Sequence, residues 1–389
     1  MTRANSGNQA AARRLFGPIE RATYLSRPNR FILVCRHKRE EVRVYLPNPG
    51  RLSELLLPGV AVYLERDDNP TRKMAYTAVA VERDGLPVML HTHRTNGAVA
   101  SLIEAGLIPS LKGAVIKKSE VTVGRSRFDF LLHFRGRDLL LEVKSCTLFG
   151  ERVAMFPDAV TDRGRRHVEE LAHLSRGGTD TAVLFLVSSP KMAAFLPEYH
   201  TDLAFARTLY GARNDVKIIA LACGWDESLN LLPHVKEIPI LWDVVEREAE
   251  DRGSYLLLLR LDEEASISVG KLGEIHFRKG YYIYVGSAMK NLSKRLDRHR
   301  RVRKNLHWHI DYLRQVAAIH AALPLRTADD LECELAGEMN ALADGAVEHF
   351  GSSDCACHSH LFFMESDPLH SPSFHRFLQY YRMDRLLSA

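Results

Sequence analysis

Short runs of apolar residues, separated by polar positions, occupy the first quarter of the chain. Each run has the length of a strand and is bounded by Gly, Pro, Asp or Asn, and the runs lie at 31–37, 42–47, 60–66, 74–81 and 88–93. Lys38-Arg39-Glu40 separates the first two runs, as in a β-hairpin. So many short strands in so few residues predict a small closed barrel. The OB-fold is a common nucleic-acid-binding form of such a barrel, although the pattern alone fits any small β-barrel.

After residue 95 the pattern changes to a mixture of helical and strand periods. The predicted elements are a helix at 98–107, strands at 114–123, 128–134 and 139–145, a helix at 160–175, and strands at 182–188 and 216–222. An acidic stretch at 246–251 ends at Gly253, and further strands and helices follow. The expected organisation is a tail at 1–18, an OB-like barrel at 19–95, an αβββαβ domain at 96–245, a linker at 246–253 and an α/β domain at 254–389.

Composition narrows the class of protein. The chain has 389 residues, 46% of them apolar and 26% charged, and it contains no apolar run long enough to span a bilayer. The first dozen residues lack the apolar core of a signal peptide, and six scattered cysteines do not form a disulfide framework. These features predict a globular, cytoplasmic protein of several domains with no membrane partner.

The net charge of +5 is mild, but one stretch is strongly basic. It consists of Lys294, Arg295, Arg298, Arg300, Arg301, Arg303 and Lys304, opposed only by Asp297. Such a stretch suits a polyphosphate partner, because each cationic contact releases condensed counterions. We take Lys294, Arg298 and Arg301 as candidate DNA contacts. The alternative is a solvated helix face with no ligand.

Two carboxylates and a lysine lie on a predicted hairpin. Strands 127–134 and 138–145 around a Gly136-Arg137 turn would place Asp129 opposite Lys144, with Glu142 on the diagonal. Alternation puts Asp129, Glu142 and Lys144 on one face. The other face carries the apolar side chains of Phe128, Phe130, Leu132, Phe134, Leu141 and Val143.

Charges on an otherwise apolar sheet need a compensating interaction, because burying an unpaired charge is unfavourable. Mg²⁺ or Mn²⁺ bound by Asp129 and Glu142 would provide one, since such ions prefer oxygen ligands. Lys144 would then orient or deprotonate the attacking water, or stabilise the charge of a scissile phosphate. An ion-pair network without chemistry is the alternative.

Three longer stretches carry a family resemblance. Leu140–Thr147, Phe156–His167 and Leu46–Leu56 resemble signature stretches of the sugar fermentation stimulation protein A (SfsA) family, over residues 15 to 245. The resemblance implies an OB-like barrel, a PD-(D/E)xK nuclease-like core and DNA binding. The family name refers to a regulatory link to sugar use, so a regulator of sugar-metabolism genes is the alternative function.

Five further positions in this region are candidates. Asp158 could be another acidic metal ligand or the cap of the next helix. Arg163 and His167 lie one helical turn apart and could contact phosphate, or could form an ordinary basic helix start. Asn48 and Arg51 flank Gly50, where a phosphate contact and a turn are equally consistent with the sequence.

The third unit resembles the GIY-YIG nucleases. Gly253-Ser-Tyr255 and the stretch 280–286, Gly-Tyr-Tyr-Ile-Tyr-Val-Gly, look like the two halves of that motif, with Ser254 and Val285 replacing isoleucines. The resemblance implies that Tyr255 or Tyr284 positions or activates water, that Arg295 holds phosphate and that Glu332 binds Mg²⁺. Glu334 is a rival for the metal.

A cluster of cysteines and histidines follows. Cys355, Cys357, His358 and His360, with Cys333 earlier in the chain, are residues that zinc favours, although the C-x-C spacing is tight. Buried thiols and loop histidines are the alternative to a Zn²⁺ site.

The sequence therefore favours a metal-dependent nuclease that binds DNA with little sequence specificity. The alternative is a non-catalytic regulator that uses nuclease folds only to dock DNA. The complete set of Asp129, Glu142 and Lys144 favours the enzyme without showing turnover, and the residues do not distinguish DNA from RNA.

Overall fold

A computed structural model describes residues 15–67, 69, 71–124, 126–303 and 305–387. Most of the predicted tail at 1–18 lies outside these residues. The chain forms two compact units, the first from residues up to 158 with 162–195 and 211–240, the second from 159–161, 196–210 and 241–389. Within the described ranges, every helix is too short or too polar to cross a bilayer.

The N-terminal strands form the predicted barrel. They are β1 (Ile19–Asn29), β2 (Ile32–His37), β3 (Glu40–Tyr45), β4 (Ala61–Arg66), β5 (Tyr76–Arg83) and β6 (Leu86–Met89). The sheet order is β3-β2-β1-β4-β5-β6, and a β3–β5 pairing at Tyr45 and Thr77 closes five of these strands. Lys38 and Arg39 have φ values of 48° and 74°, as in the two-residue turns whose twist matches paired strands.

An α/β segment follows the barrel and contributes elements to both units. Its elements begin with α1 (Thr95–Glu104), β7 (Val115–Val123), β8 (Ser126–Phe134), β9 (Arg137–Cys146), β10 (Leu148–Phe149), β11 (Val153–Phe156), α2 (Asp162–Arg176) and β12 (Asp180–Val187). Then come β13 (Ala194–Pro197), α3 (Leu203–Gly211), β14 (Lys217–Ala222), β15 (Lys236–Glu237) and α4 (Trp242–Glu248). The main sheet has the order β15-β14-β12-β9-β8-β7, with β12 parallel to β9 and β14, so the predicted αβββαβ order is present.

The barrel and the α/β sheet share one hydrophobic cluster. It includes Tyr63 and Val79 of the barrel, Leu102 of α1, and Leu132 and Leu141 of the hairpin. Residues on both sides of the boundary predicted at residue 95 therefore contribute to one core.

The hairpin register differs from the predicted one by two residues. β8 and β9 pair from Phe134 opposite Arg137 to Phe130 opposite Leu141, so the turn is Arg135-Gly136 and not Gly136-Arg137. Both turn residues have positive φ, 52° and 79°, which is the geometry that joins strands by two residues. A shift of two preserves side-chain alternation, so the carboxylates keep their common face. Continued past the last pair, this register brings Asp129 opposite Glu142.

Five of the six predicted apolar side chains of this hairpin lie in or against the shared cluster: Phe130, Phe134, Leu132, Leu141 and Val143. Phe128 is also buried, but its ring lies 6.0 Å from that of His167 on α2. The first residues of β8 therefore pack against α2.

The second unit is built on a sheet of the order β20-β16-β19-β22-β21. Its strands are β16 (Gly253–Leu261), β17 (Ala265–Ser268), β18 (Glu274–Phe277), β19 (Gly280–Ala288), β20 (Ala318–Arg326), β21 (Gly345–Ala346) and β22 (Leu361–Met364). Its later helices are α5 (Leu292–Arg300), α6 (His309–Leu313), α7 (Glu332–Leu342) and α8 (Pro372–Arg382). In β16, Tyr255 and Leu257 enter one hydrophobic cluster and Leu256 and Leu258 another. The sheet is thus covered on both faces.

The predicted linker at 246–253 is not a free connection. It contains the end of α4, and the buried carboxylate of Glu248 accepts hydrogen bonds from Ala328 N (2.8 Å) and Arg247 Nε (2.6 Å). Residues 196–210 also join this unit, where His200 Nδ1 accepts from Arg326 N at 2.9 Å. Buried side chains from both sides of the acidic run therefore contribute to the second unit, and the domain boundary at this run stays a prediction.

Candidate active site and metal centre

Asp129 and Glu142 are held by different partners on the β8–β9 hairpin. Asp129 Oδ1 accepts from Asn96 Nδ2 of α1, and its Oδ2 accepts from Val143 N, both at 2.7 Å. Glu142 Oε1 bonds the Nζ of Lys144 and lies 2.6 Å from Nδ1 of His167. The carboxylates are therefore oriented before any ligand binds.

The electrostatics of the two carboxyl groups differ. Burial, and then the charge of Glu142, raise the pKa of Asp129. Burial would also raise the pKa of Glu142, but the hydrogen bond from His167 and the charge of Lys144 outweigh it and lower that pKa. Within the described residues, Glu142 Oε2 is buried and has no hydrogen-bond partner. An oxygen-preferring cation would fit this oxygen.

The structure corrects two DNA contacts predicted in the first unit. His167 is only 7% exposed, and its ring bonds Glu142 where a phosphate contact was predicted. Asn48 is 5% exposed; its amide donates to Leu90 O (3.1 Å) and accepts from Gly50 N (2.9 Å), which is the turn role. In both cases neighbouring backbone or side-chain groups already use the polar atoms. Arg51 and Arg163 are exposed and stay candidates.

Asp158 lies against the barrel loop. Its Oδ2 accepts from Leu52 N at 2.7 Å, and a Cβ at Gly50 would lie 2.7 Å from that oxygen, so glycine is needed there. Nearby Glu54, which the sequence analysis missed, is buried; desolvation and then the charge of Asp158 raise its pKa to about 8. Burial also raises the pKa of Asp158. The pKa values of both acids of this pair are therefore raised, whereas in the hairpin pair that of Asp129 is raised and that of Glu142 is lowered.

In the second unit, the predicted residues Tyr255, Tyr284, Arg295 and Glu332 line one cavity of about 300 Å³. The strand pairing places Tyr255 opposite Gly286, and a Cβ at Gly286 would lie 2.5 Å from the Tyr255 hydroxyl oxygen. A side chain at position 286 would overlap the Tyr255 ring, which explains why the second half of the motif ends in glycine.

Two polar groups of this cavity contact neighbouring side chains. The Tyr255 hydroxyl lies 2.8 Å from His299 Nε2, and the Arg295 guanidinium lies 4.3 Å from the centre of the Trp308 ring. Burial raises the pKa of both Tyr255 and Tyr284. Both hydroxyls are consequently protonated at neutral pH and can donate hydrogen bonds.

Glu332 and its predicted rival Glu334 have separate environments. Glu332 Oε2 accepts from Ser287 Oγ at 2.6 Å, and Oε1 lies 3.3 Å from Nδ1 of His360. Burial would raise the pKa of Glu332, but His360 and Ser287 outweigh it and lower that pKa. Glu334 is exposed and accepts from the Tyr381 hydroxyl at 3.0 Å. Glu332 is therefore the carboxylate of the cavity.

Arg298 is also corrected. Its guanidinium binds the fully buried carboxylate of Asp311 at 2.8 and 3.1 Å and lies 4.0 Å from the centre of the Trp308 ring. It therefore stabilises α6 against α5, and its guanidinium pairs with a buried carboxylate where a phosphate contact was predicted. Lys294 and Arg301 are exposed, whereas Lys304 lies outside the described residues.

The fold brings together three thiols and one imidazole, all of them candidates from the sequence. The ligand atoms of Cys333, Cys355, Cys357 and His360 all lie within 4.8 Å of one another. Cys333 comes from α7, and the other three precede β22. His358, which was also a candidate, is exposed and outside the group.

Comparisons with known proteins place these sites in context. The family model described as "SfsA N-terminal OB domain" matches residues 25–90, "Sugar fermentation stimulation protein RE domain" matches 93–228, and "Domain of unknown function DUF123" matches 254–381. With the sheet topologies, these matches confirm the predicted fold class: an OB barrel, a PD-(D/E)xK nuclease-like core and a GIY-YIG-like C-terminal domain.

Individual relatives cover the first part of the chain. The sugar fermentation stimulation protein homolog of Methanothermobacter thermautotrophicus is 38% identical over 57% of this chain and 93% of its own length. The homolog from Clostridium tetani is 37% identical over 57% of this chain and 97% of its own. The structure of Pyrococcus furiosus SfsA in complex with Ca²⁺ is similar over 58% of this chain and 96% of that chain, with 30% identity and a TM-score of 0.54.

Proposed function

The chain belongs to the sugar fermentation stimulation protein family, and we propose that it is a DNA-binding protein that hydrolyses phosphodiester bonds with a divalent cation in its first unit. The observation that carries the proposal is the buried, unpartnered Glu142 Oε2 on the same hairpin face as Asp129 and Lys144. A buried carboxylate oxygen without a donor is unfavourable, and a cation would compensate it. The Pyrococcus relative was solved in complex with Ca²⁺, which supports extending a cation site to this chain.

Asp129 and Glu142 would hold Mg²⁺ or Mn²⁺, and such an ion supplies a water of lowered pKa and polarises a phosphoryl oxygen. Neighbouring groups of the chain would orient the two carboxylates. Asn96 and the Val143 N–H fix the Asp129 carboxylate, and His167 fixes that of Glu142. Lys144 is only 16% exposed and keeps its ammonium at the site, where it would orient the attacking water and offset the charge of the phosphate.

DNA would be held mainly by exposed cations, namely Arg51 and Arg163 in the first unit and Lys294 and Arg301 in the second. Contacts of this kind read the backbone and not the bases, so sequence specificity should be low.

In the cavity of the second unit, Arg295 would bind a phosphate. Because Tyr255 and Tyr284 stay protonated, they would position water there by hydrogen bonding and would not remove its proton.

One observation favours the alternative, a regulator that only docks DNA. Lys144 and His167 both engage Glu142 Oε1, so an ion-pair network exists without any metal. Such a network could be all that remains of a lost active site, with the fold kept for binding.

Cleavage of supercoiled plasmid and of branched DNA, with Mg²⁺ or Mn²⁺, separates the two functions. Wild type should cut and Glu142→Gln should not, whereas Glu169→Gln, which removes the same charge from an exposed position of α2, should cut normally. If wild type binds these DNAs but cuts none of them with either metal, the nuclease proposal is wrong and the regulator is supported.

A further inference from the structure

We propose that Cys333, Cys355, Cys357 and His360 form a Zn²⁺ site in the second unit, and that Glu332 holds the imidazole of His360 in place. This site is separate from the hairpin carboxylates and does not depend on the proposed hydrolysis. Three thiolates and one imidazole are a standard ligand set for structural zinc.

The separations fit tetrahedral zinc. With Zn–S bonds of about 2.3 Å, the sulfurs of such a site lie about 3.8 Å apart. Here the four ligand atoms are all within 4.8 Å of one another, and Cys355 Sγ lies 3.4 Å from His360 Nε2. Small side-chain rotations therefore suffice to close the site, without a change of backbone.

The backbone brings the ligands together from two segments. Cys333 lies in the first turn of α7, while Cys355 and Cys357 lie in the loop between β21 and β22. His360 is fixed next to the sheet, because its N–H donates to Phe350 O (2.8 Å) and its carbonyl accepts from Val285 N (2.9 Å). The tight C-x-C spacing is compatible with zinc here because α7 and the start of β22 provide the other two ligands.

Glu332 supplies the usual support for a metal-bound histidine. When Nε2 of His360 binds a metal, the proton of the ring resides on Nδ1, and that atom lies 3.3 Å from Glu332 Oε1. Histidine ligands commonly donate their second N–H to a carboxylate. Nδ1 of His360 is buried and has no hydrogen-bond partner among the described residues, so a small rotation of the ring toward Glu332 would complete that contact. The other oxygen of Glu332 accepts from Ser287 Oγ, so this carboxylate joins the zinc site to the cavity of Tyr255 and Arg295.

A disulfide is the competing explanation for neighbouring thiols. It would use two of the three cysteines and would leave the third, as well as His360, without a role. All four side chains, together with the position of Glu332, are explained by a single bound ion.

The test uses the full-length protein, loaded with Zn²⁺ and freed of excess metal. Elemental analysis should find one zinc per chain, and Co²⁺ in its place should show thiolate charge-transfer bands and the intense visible bands of tetrahedral cobalt. Cys333→Ser, Cys357→Ser and His360→Ala should lose the metal. His358→Ala, an exposed histidine of the same loop, and Glu142→Gln, in the first unit, should keep it.

Glu332→Gln tests the supporting contact. Competition with a chromophoric chelator should show zinc bound about 10–100-fold more weakly than in wild type, with the cobalt spectrum still tetrahedral. An unchanged affinity would remove Glu332 from the proposal. If the cysteine variants fail to fold, the measurements on wild type alone test the site. Absence of stoichiometric zinc, an octahedral cobalt spectrum, or a disulfide among these thiols in the metal-treated protein would overturn the proposal.

Discussion

The two candidate sites, the hairpin in the first unit and the cavity in the second, are organised in opposite ways. The hairpin places two carboxylates and a lysine within 16 residues of sequence, and one buried oxygen, Glu142 Oε2, has no partner. The cavity collects Tyr255, Tyr284, Arg295 and Glu332 from four elements, and Glu332 has a neighbour at each oxygen. The first arrangement suits a cation. The second presents one guanidinium and protonated hydroxyls, which suit an anion, beside the carboxylates of Glu332 and Asp354.

This difference shows that resemblance to two nuclease motifs does not imply two equivalent active sites. A cation needs ligand oxygens that the protein leaves unsatisfied. By that measure the hairpin is the stronger candidate for hydrolysis, and the cavity is the stronger candidate for phosphate binding.

The largest expected effect is loss of the cation from the hairpin. In calorimetric titration of the zinc-loaded protein with Mn²⁺, Asp129→Asn and Glu142→Gln should remove the binding isotherm, because each variant deletes a charged ligand. Glu332→Gln should leave that isotherm unchanged, and Lys144→Ala should keep the metal while losing cleavage. Equal binding by all of these proteins would mean that the hairpin is an ion-pair network, and the comparison would then fail.

A large effect on stability is expected beside the cavity. Arg298→Ala should lower the free energy of unfolding by about 3 kcal/mol, because it leaves the buried Asp311 carboxylate without its cation. Arg301→Ala, three residues further on and exposed, should change stability by less than about 0.5 kcal/mol. Denaturant titration measures both.

Arg301→Ala is also the variant that tests phosphate binding, because the side chain of Arg301 is exposed. Arg301→Ala should reduce the slope of log association constant against log salt by about 0.9 on duplex DNA, the value for one lost phosphate contact. Gel shifts over a range of salt concentrations give the slope. A salt slope that is flat in wild type would contradict binding through exposed cations altogether.

A pH effect should distinguish the second acidic pair, Glu54 and Asp158, from the hairpin pair. The pKa of Glu54 is raised to about 8 in the folded protein, so between its ordinary value and about 8 the folded state binds more protons than the unfolded state. Stability from this group is complete at low pH and is lost as pH rises through about 8. Urea titrations across this range should show a decline that Glu54→Gln removes and the surface variant Glu41→Gln retains.

The smallest effect concerns the residue that supports Glu142. His167→Ala should weaken Mn²⁺ binding about 10–100-fold, as is typical when the partner of a ligand is removed. Its salt slope for DNA should match wild type, since His167 is buried. Arg163→Ala, one turn earlier and exposed, should do the reverse, leaving Mn²⁺ affinity intact and reducing the slope. Identical behaviour of the two variants would restore the phosphate role first predicted for His167.

The sequence by itself determined the order of elements, the barrel, and the common face of Asp129, Glu142 and Lys144. These features depend on local alternation and on turn residues, and alternation survives even the two-residue error in hairpin register. The same local information identified Tyr255, Tyr284, Arg295 and Glu332, since each lies in a motif with its own strand or helix.

Only the tertiary structure decided which partner each polar side chain has. Histidine and arginine are residue types that often contact phosphate, but here the side chain of His167 bonds Glu142 and that of Arg298 pairs with Asp311. Cys333 lies close to two thiols that are more than 20 residues away in sequence. Residues 196–210 precede the acidic run at 246–251 but belong to the second unit. Buried charges and hydrogen-bonding groups must find partners wherever the packed chain provides them, and the distance along the sequence places no limit on where those partners lie.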